Sequence, residues 1–271
     1  MTTGRFDTDT AIAREDATRF AAEVTDGWDI GTIPNGGYLL AIAGRALCET
    51  LDRPDPVALS AHYLSPASHG PAELDVEVLR EGRGLATGTV RFSQEGALRL
   101  VVTGTCGDLS TNEGPTILRA EPPDLPPPEA CVPALPSPRF PRILERFDMR
   151  LVPESAAFAV GIRHGNAEMA GWLRFSDERD FDSAALPLVS DAMPPAVFLM
   201  METGWVPTVE LTVHVRARPA PGWLRCRFVT RFVTDGWLEE DGEVWDADGT
   251  LVCLSRQLAR VREGSPTYGS G

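Results

Sequence analysis

One acidic residue stands inside an apolar stretch in the second half of the chain. The segment FDSAALPLVSDAMPPAVF, residues 181–198, has the apolar spacing of a helix that is broken near Pro194 and Pro195, and Asp191 lies in its middle. Carboxylates are rarely left among apolar side chains without a partner. Because such surroundings disfavour the charged form, we expect a raised pKa for Asp191, which would make it a stronger general base. A helix cap or an ion pair with an arginine is the structural alternative.

A second candidate group opens the helix pattern of the first half. Asn35, Gly36 and Gly37 stand directly before the apolar run YLLAIAGRAL. Glycines let a ligand approach the backbone closely, and the first turn of a helix leaves N–H groups free. These three residues are therefore candidates for substrate binding and for stabilising an oxyanion. A simple tight turn is the alternative.

Several other kinds of chemistry are excluded by residue types or spacing. The chain has no lysine, which excludes Schiff-base and lysine general-base catalysis, and no G-x-S-x-G motif of a serine hydrolase is present. The four histidines have no spacing typical of zinc, so no metal site is predicted. The five cysteines contain no C-x-x-C pair and are interpreted as small buried apolar residues.

The overall charge limits the partners of the protein. The 271 residues carry a formal net charge of −14. Negative potential disfavours nucleic acids and anionic membrane surfaces, so neither is expected as a partner. The first residues lack an apolar signal segment, and no run of about 18 apolar residues occurs. We expect a soluble cytoplasmic protein that acts on a small molecule.

The two halves of the chain repeat one pattern. Pro66, Gly96 and Leu98 each have an identical residue 153 positions later. Each half also reads as a strand, an apolar helix and then several strands, as expected for two copies of one structural unit. Alternating apolar residues in the strands indicate a sheet with one buried face, and the helix is the element that can cover it. The predicted fold is α+β, a double hot-dog: two tandem repeats, each a long central helix wrapped by a curved antiparallel sheet.

A proline-rich stretch separates the repeats. The segment EPPDLPPPEACVPALPSPRFP cannot form a regular helix or a central strand. It is predicted to be a linker laid over the surface, docked by Phe140, Ile143, Leu144 and Phe147. The predicted organisation is a first repeat at 1–110, a linker at 111–145, a second repeat at 146–262 and a disordered tail at 263–271.

Several blocks together resemble a known family. In the first half these are NGGYLLAIAGRAL and LSAHYLSPASHGPAELDVEVLREGRGLATGTVRFSQEGAL; in the second they are SDAMPPAVF, TVELTVHVRARP and DGTLVCLSRQLARVR. In order and spacing they resemble acyl-CoA thioesterase II and the related thioesterase-like double-hot-dog proteins of bacteria. The resemblance covers residues 15–110 and 150–262 and weakens across the linker.

The resemblance implies a reaction and its residues. Asp191, Thr208 and Gln257 match the three positions that hold the attacking water in that family. It implies hydrolysis of acyl-CoA, or of a related acyl thioester, with no cofactor beyond the coenzyme A of the substrate, and assembly as a homo-oligomer. The chain departs from the family at Glu210-Leu211, where the thioesterase has an Asp-His pair, and at the two prolines after Asp191. These departures leave the trio intact and bear on substrate preference.

Two other functions stay open from the sequence. One is a catalytically idle protein that binds acyl thioesters. The other is hydration of an enoyl-CoA. Hydratases with the hot-dog fold carry a motif similar to GDxNPxH for this reaction. This chain has the aspartate of that motif but carries Ala196 at the expected histidine.

Overall fold

The computed structural model describes residues 4–137 and 140–261. The first repeat begins with a short helix and four strands and continues into a long helix and a meander. Its elements are α1 (Arg5–Asp9), β1 (Ile12–Arg14), β2 (Arg19–Val24), β3 (Asp29–Ile30), β4 (Ile33–Pro34), α2 (Gly36–Thr50), β5 (Asp55–Tyr63), β6 (Gly70–Glu81), β7 (Ala86–Gln94) and β8 (Ala97–Gly107).

The linker and the second repeat contain short helices and eight further strands. The linker holds 3₁₀-helices at Leu109–Thr111, Pro128–Ala130 and Arg142–Arg146, and strand β9 (Val132–Pro133). The second repeat holds β10 (Phe147–Leu151), α3 (Pro153–Ala156), a 3₁₀-helix at Ala157–Val160, β11 (Glu168–Phe175), a 3₁₀-helix at Ser183–Ala185, α4 (Leu186–Val189), a 3₁₀-helix at Ala196–Leu199, β12 (Thr208–Val215), β13 (Leu224–Val229), β14 (Val233–Thr234), β15 (Trp237–Trp245) and β16 (Leu251–Arg260).

Both repeats contribute to one antiparallel sheet. Its order is β1-β2-β6-β7-β8-β5-β12-β16-β15-β13-β11-β10-β9, with β14 paired to β15. The two repeats meet where β5 pairs with β12, with Ser60 opposite Thr212. Outward from this junction, β5-β8-β7-β6-β2 of the first repeat corresponds to β12-β16-β15-β13-β11 of the second. The repeat in the sequence is thus a repeat of strand order, and the hot-dog fold predicted from it is confirmed.

The central helix of the first repeat is as long as predicted. Helix α2 has 15 residues and packs against β5, β6, β7 and β8. Tyr38, Leu40, Ile42 and Leu47 on this helix are fully buried. Burial of apolar side chains against the curved sheet is the main stabilising contribution here.

The central helix predicted for the second repeat is wrong. Residues 181–198 form a single α-helical turn, α4, between two 3₁₀-helices instead of one long helix. Proline lacks a backbone N–H and disfavours helical geometry in the residue before it, so Pro194 and Pro195 end the helix early. As a result, Asp191 lies in the turn that follows α4, and α4 packs against α2.

The linker is built into the fold. Strand β9 pairs with β10 and so extends the sheet at its edge. Ile143, Leu144 and Phe147 are buried, and Phe140 packs against the main core, which confirms the predicted docking residues. The tail predicted at 263–271 lies outside the described residues. Within the part of the chain that is described, none of the helices is long and apolar enough to cross a membrane.

A buried carboxylate ties the two repeats together. Asp55 on β5 accepts hydrogen bonds from Arg218 Nε at 3.0 Å and Nη2 at 2.7 Å, from Ser183 Oγ at 2.5 Å and from the Leu109 N–H at 2.8 Å. Burial would raise the pKa of Asp55, but the bonds from Arg218, Ser183 and Leu109 together lower it. Arg218 and Ser183 come from the second repeat, so this cluster stabilises the junction.

Replacing Arg218 by glutamine is expected to lower the free energy of unfolding at pH 7 by about 1–3 kcal/mol, because the buried Asp55 loses its charged partner. A carboxyl whose pKa is lowered by folding contributes stability above its unfolded pKa and loses it as the pH falls through the folded pKa. The deficit should therefore shrink in urea titrations below about pH 4. Arg216→Gln is the matched control, since Arg216 makes no ion pair within the described residues. Equal deficits in the two variants would contradict this role.

Candidate active site

The start of α2 holds the carboxylate of Asp191. Asn35 Nδ2 donates to Asp191 Oδ2 at 2.9 Å and to its backbone oxygen at 2.7 Å. The Gly37 N–H donates to the same Oδ2 at 2.9 Å. Asn35 also caps its own helix, because its Oδ1 accepts from the Tyr38 N–H. The acid of the second repeat is therefore fixed by the helix N-terminus of the first.

Asp191 has the electrostatics predicted from its apolar surroundings. Burial raises its pKa to about 6, against the opposing effect of hydrogen bonds from Gly37, Asn35 and Gly36. No arginine pairs with it among the residues that the structure describes. A carboxylate with such a pKa is largely ionised at neutral pH and is still basic enough to accept a proton from water. The ion-pair alternative is excluded for the described residues.

The predicted group Asn35, Gly36 and Gly37 lies beside Asp191. A Cβ atom at Gly36 would lie 3.0 Å from Asp191 Oδ2 and from the Tyr63 hydroxyl, so glycine permits the close approach. In this structure the donors of the group point to the Asp191 carboxylate. The oxyanion role of the three residues stays a prediction, and their observed role is to hold the acid.

Tyr63 is a neighbour that the sequence analysis missed. Its hydroxyl donates to the Gly36 carbonyl at 2.8 Å. Burial, followed by the nearby charges of Asp191 and Glu210, raises the pKa of Tyr63 well above its usual range. The hydroxyl therefore stays protonated and keeps the Gly36 carbonyl in place next to the acid.

Thr208 and Gln257 are brought together by an irregularity in the sheet. Gln257 Nε2 donates to Thr208 Oγ1 at 2.6 Å. Leu211, opposite Gln257, faces the core, so strict alternation would turn Thr208 away from it. A register shift between Thr208 and Glu210 adds one residue to β12 and turns Thr208 to the inner face. The bulge thus places the hydroxyl where the amide can reach it.

A single large cavity contains the predicted site. Its volume is about 930 Å³, and its wall includes Asn35, Gly36, Asp191, Thr208 and Gln257. No hydrogen bond within the described residues joins Asp191 directly to the Thr208–Gln257 pair. The two parts of the trio therefore share the cavity and border it from different elements.

Most of the remaining wall is apolar. Both repeats and the linker contribute to it, with Ile33, Leu39, Leu135, Phe140, Ile143, Phe158, Met193, Phe198, Val206 and Phe228 among the lining residues. Cavities of this size and character hold small organic ligands with an extended apolar part. The linker is thus part of the cavity wall.

The cavity wall also contains a second acid that the sequence analysis missed. Glu240 on β15 is only 7% exposed. The signal was present in the strand, because Leu238, Glu240, Gly242 and Val244 share one face and three of these four are apolar or small. A charged residue at an inward-facing position of a strand indicates a carboxyl that points into the protein. Asp191 gives the same kind of signal, because it interrupts an apolar segment.

The groups in the cavity suit activation of water. They comprise a basic carboxylate, a hydroxyl and an amide that can orient a water molecule, and no nucleophilic serine or cysteine is needed. No cluster of three or more histidine, cysteine or acidic side chains able to hold a metal ion occurs in residues 4–137 and 140–261.

Comparisons with known proteins agree with this architecture. The family model described as the acyl-CoA thioesterase N-terminal domain matches residues 24–107, and the one described as the C-terminal domain matches residues 122–261. An uncharacterized protein of Mycobacterium tuberculosis is 30% identical, over 89% of this chain and 90% of that protein.

Solved structures show the same relationship. A protein of Thermobifida fusca, solved as a candidate thioesterase II, has a TM-score of 0.90 and 38% identity, with 97% of this chain and 99% of that chain covered. A protein of unknown function with a hot-dog fold from Alicyclobacillus acidocaldarius has a TM-score of 0.86 and 25% identity, with 97% and 100% covered. The two matched domains span most of both repeats, and the chain belongs to the acyl-CoA thioesterase family.

Proposed function

We propose that this protein hydrolyses acyl-CoA thioesters to the free acid and coenzyme A by a water molecule that Asp191, Thr208 and Gln257 activate. The family supports thioester hydrolysis in general. The observation that carries the role of the trio is Asp191 itself. Its carboxylate has a raised pKa and no ion pair within the described residues, and Asn35 and Gly37 fix it in the wall of the cavity that Thr208 and Gln257 also line.

The proposed steps follow from these groups. The Asp191 carboxylate takes a proton from water while Thr208 and Gln257 orient the water oxygen. The resulting hydroxide attacks the thioester carbonyl, and the tetrahedral intermediate collapses with departure of the coenzyme A thiolate. The proton held by Asp191 can then neutralise that thiolate, so the carboxylate is regenerated. No covalent enzyme intermediate is required.

The apolar wall is the proposed place of the acyl chain. Phe140, Ile143 and Phe198 border the cavity together with the trio. Burial of a hydrocarbon chain contributes about 0.8 kcal/mol per CH₂ group, so longer acyl chains should bind more tightly until the cavity is filled. The acyl group would then be fixed with its carbonyl near Asp191.

The test is release of free thiol from a panel of acyl-CoAs with short, medium, long, branched and aromatic acyl groups. We expect turnover of part of the panel, and a fall in KM with chain length up to the limit set by the cavity. Absence of release from every member by folded protein would contradict the proposed hydrolysis. Saturable binding of the same compounds without release would instead indicate the catalytically idle binding protein.

A further inference from the structure

Glu240 is a buried acid that the proposed steps do not use. Its side chain is on the inner face of β15 and lies in the wall of the cavity that contains Asp191. Glu240 Oε2 accepts a hydrogen bond from the Ala196 N–H at 2.6 Å. Ala196 is the first residue of the 3₁₀-helix that follows Asp191 and the two prolines. The glutamate therefore fixes the far end of the segment that carries the proposed base.

Glu240 also stands next to the other two residues of the trio. It lies directly opposite Gln257 in the antiparallel register of β15 and β16. Gln257 in turn donates to Thr208 on β12. Directly opposed side chains on one face have Cβ atoms about 5 Å apart, so Glu240 and Gln257 are close neighbours. Glu240, Gln257 and Thr208 come from three adjacent strands and line the same cavity as Asp191.

The negative charge that acts on Glu240 is that of Asp191, and not that of a residue packed directly against it. Phe228 and Thr230 face it from the β13 side, Gln257 from β16 and Ala196 from the 3₁₀-helix, and none of these is charged. Thr230 Oγ1 is buried, and its interaction with the Glu240 carboxyl lowers the pKa of Glu240. Across the cavity the charged neighbour is Asp191.

These surroundings favour the neutral form of Glu240. Burial first, and then the negative charge of Asp191, raise the pKa of Glu240 to about 7, while the Ala196 N–H and Thr230 oppose the shift. The pKa of Asp191 is about 6, so Asp191 gives up its proton at lower pH than Glu240. Both acids border one cavity, and the charge of Asp191 adds to the raised pKa of Glu240, so the site has a state with one proton and one negative charge.

We propose that Glu240 is a positioning residue of the hydrolytic site, which holds the Asp191 segment through the Ala196 N–H and must keep its own proton while Asp191 is ionised. The inference rests on the proposed hydrolysis. An ionised Glu240 would put a second negative charge in the wall of the cavity in which the thioester oxygen becomes an oxyanion, and would oppose that charge. A protonated Glu240 keeps the hydrogen bond from Ala196 without this cost.

The test compares pH profiles of kcat/KM for the native protein and Glu240→Gln. For the native protein we expect a rise as Asp191 ionises and a fall as Glu240 ionises, which gives a narrow bell near neutral pH. Glutamine imitates the protonated glutamate, so the variant should keep activity within a few-fold at the native optimum and lose the alkaline fall. Glu243→Gln, on the same strand but on the opposite face, should leave the profile unchanged.

Two results would overturn the inference. An alkaline fall that persists in Glu240→Gln would show that another group causes it. Loss of activity at every pH in a folded Glu240→Gln protein would show that the ionised carboxylate itself is required. The Glu240→Ala variant offers no side-chain acceptor to the Ala196 N–H. We expect its kcat to fall more than tenfold with little change in KM, because the Asp191 segment loses this contact.

A measurement without turnover separates this inference from the proposed function. The Ala196 amide resonance in ¹H–¹⁵N spectra should titrate near pH 7 in the native protein and should not titrate there in Glu240→Gln, because its acceptor changes charge only in the former. An Ala196 amide that does not titrate between about pH 5 and pH 9 would show that Glu240 keeps one protonation state in this range, and would refute the alkaline fall assigned to it. Titration of that amide in a protein that releases no thiol would refute the proposed hydrolysis alone.

Discussion

Replacing Asp191 by asparagine is expected to slow thiol release from acyl-CoA by about a hundredfold or more, the usual effect of removing a general base. Asparagine has nearly the same shape, and its side-chain oxygen can still accept from Asn35 and the Gly37 N–H, so the site geometry should survive. It cannot take a proton from water. The fall should be in kcat, with KM changed little, and steady-state thiol assays measure both.

The same substitution has a second expected effect, on stability. Folding raises the pKa of Asp191, so the favourable contribution of its protonated form is complete below the unfolded pKa and is lost as the pH rises through about 6. Above that pH the native protein contains a buried charge that costs at most about 3 kcal/mol. Asp191→Asn should therefore melt at the same or a higher temperature than the native protein at pH 8, with the difference shrinking towards pH 4.

The two readouts together decide the role of Asp191. Undiminished activity with an unchanged melting temperature would remove Asp191 from the mechanism. A large loss of melting temperature at all pH values would make it a structural residue. Asp52→Asn is a suitable control, because Asp52 is exposed at the end of α2 with a positive φ of 51°, which asparagine tolerates.

The part of the site that was predictable from sequence depended on residues that break a local pattern. Asp191 interrupts an apolar run, and that interruption correctly indicated a carboxylate with a raised pKa. Glu240 interrupts the inward-facing parity of β15 in the same way. A charged residue at an inward-facing position of a strand indicates such a buried acid, although Glu240 belongs to no familiar motif.

Other features depended on long-range contacts. The repeat in the sequence predicted the strand order of both halves, but it could not show that β5 and β12 join them into one sheet. The inward orientation of Thr208 results from a bulge against β16, and alternation within β12 alone predicts the opposite face. Apolar spacing predicts one long helix that is broken near Pro194 and Pro195, whereas the α-helix is a single turn that ends at Val189.

Gly37→Ala is expected to be the most damaging small substitution, because it acts at the contact between the two repeats. A Cβ at position 37 would lie 2.6 Å from the Pro187 carbonyl oxygen and 2.9 Å from Asp191 Cβ. The carbonyl is main chain of α4, so relief requires α2 and α4 to separate. We expect a loss of about 1–3 kcal/mol in the free energy of unfolding and a loss of activity of about tenfold or more, because a displacement of about 1 Å moves the base from its water. Urea denaturation and thiol assays measure the two effects.

Gly44→Ala in the same helix is the matched control. Its Cβ would meet only the end of the Leu59 side chain, at 3.2 Å, and a flexible methyl group can move by a few tenths of an ångström. Alanine also favours the helix over glycine by up to about 1 kcal/mol, so this variant should be as stable as the native protein or more so, and fully active. The contrast isolates the contact with α4 from the general effect of alanine in α2. If Gly37→Ala behaves like Gly44→Ala, the close approach of the two helices does not position Asp191.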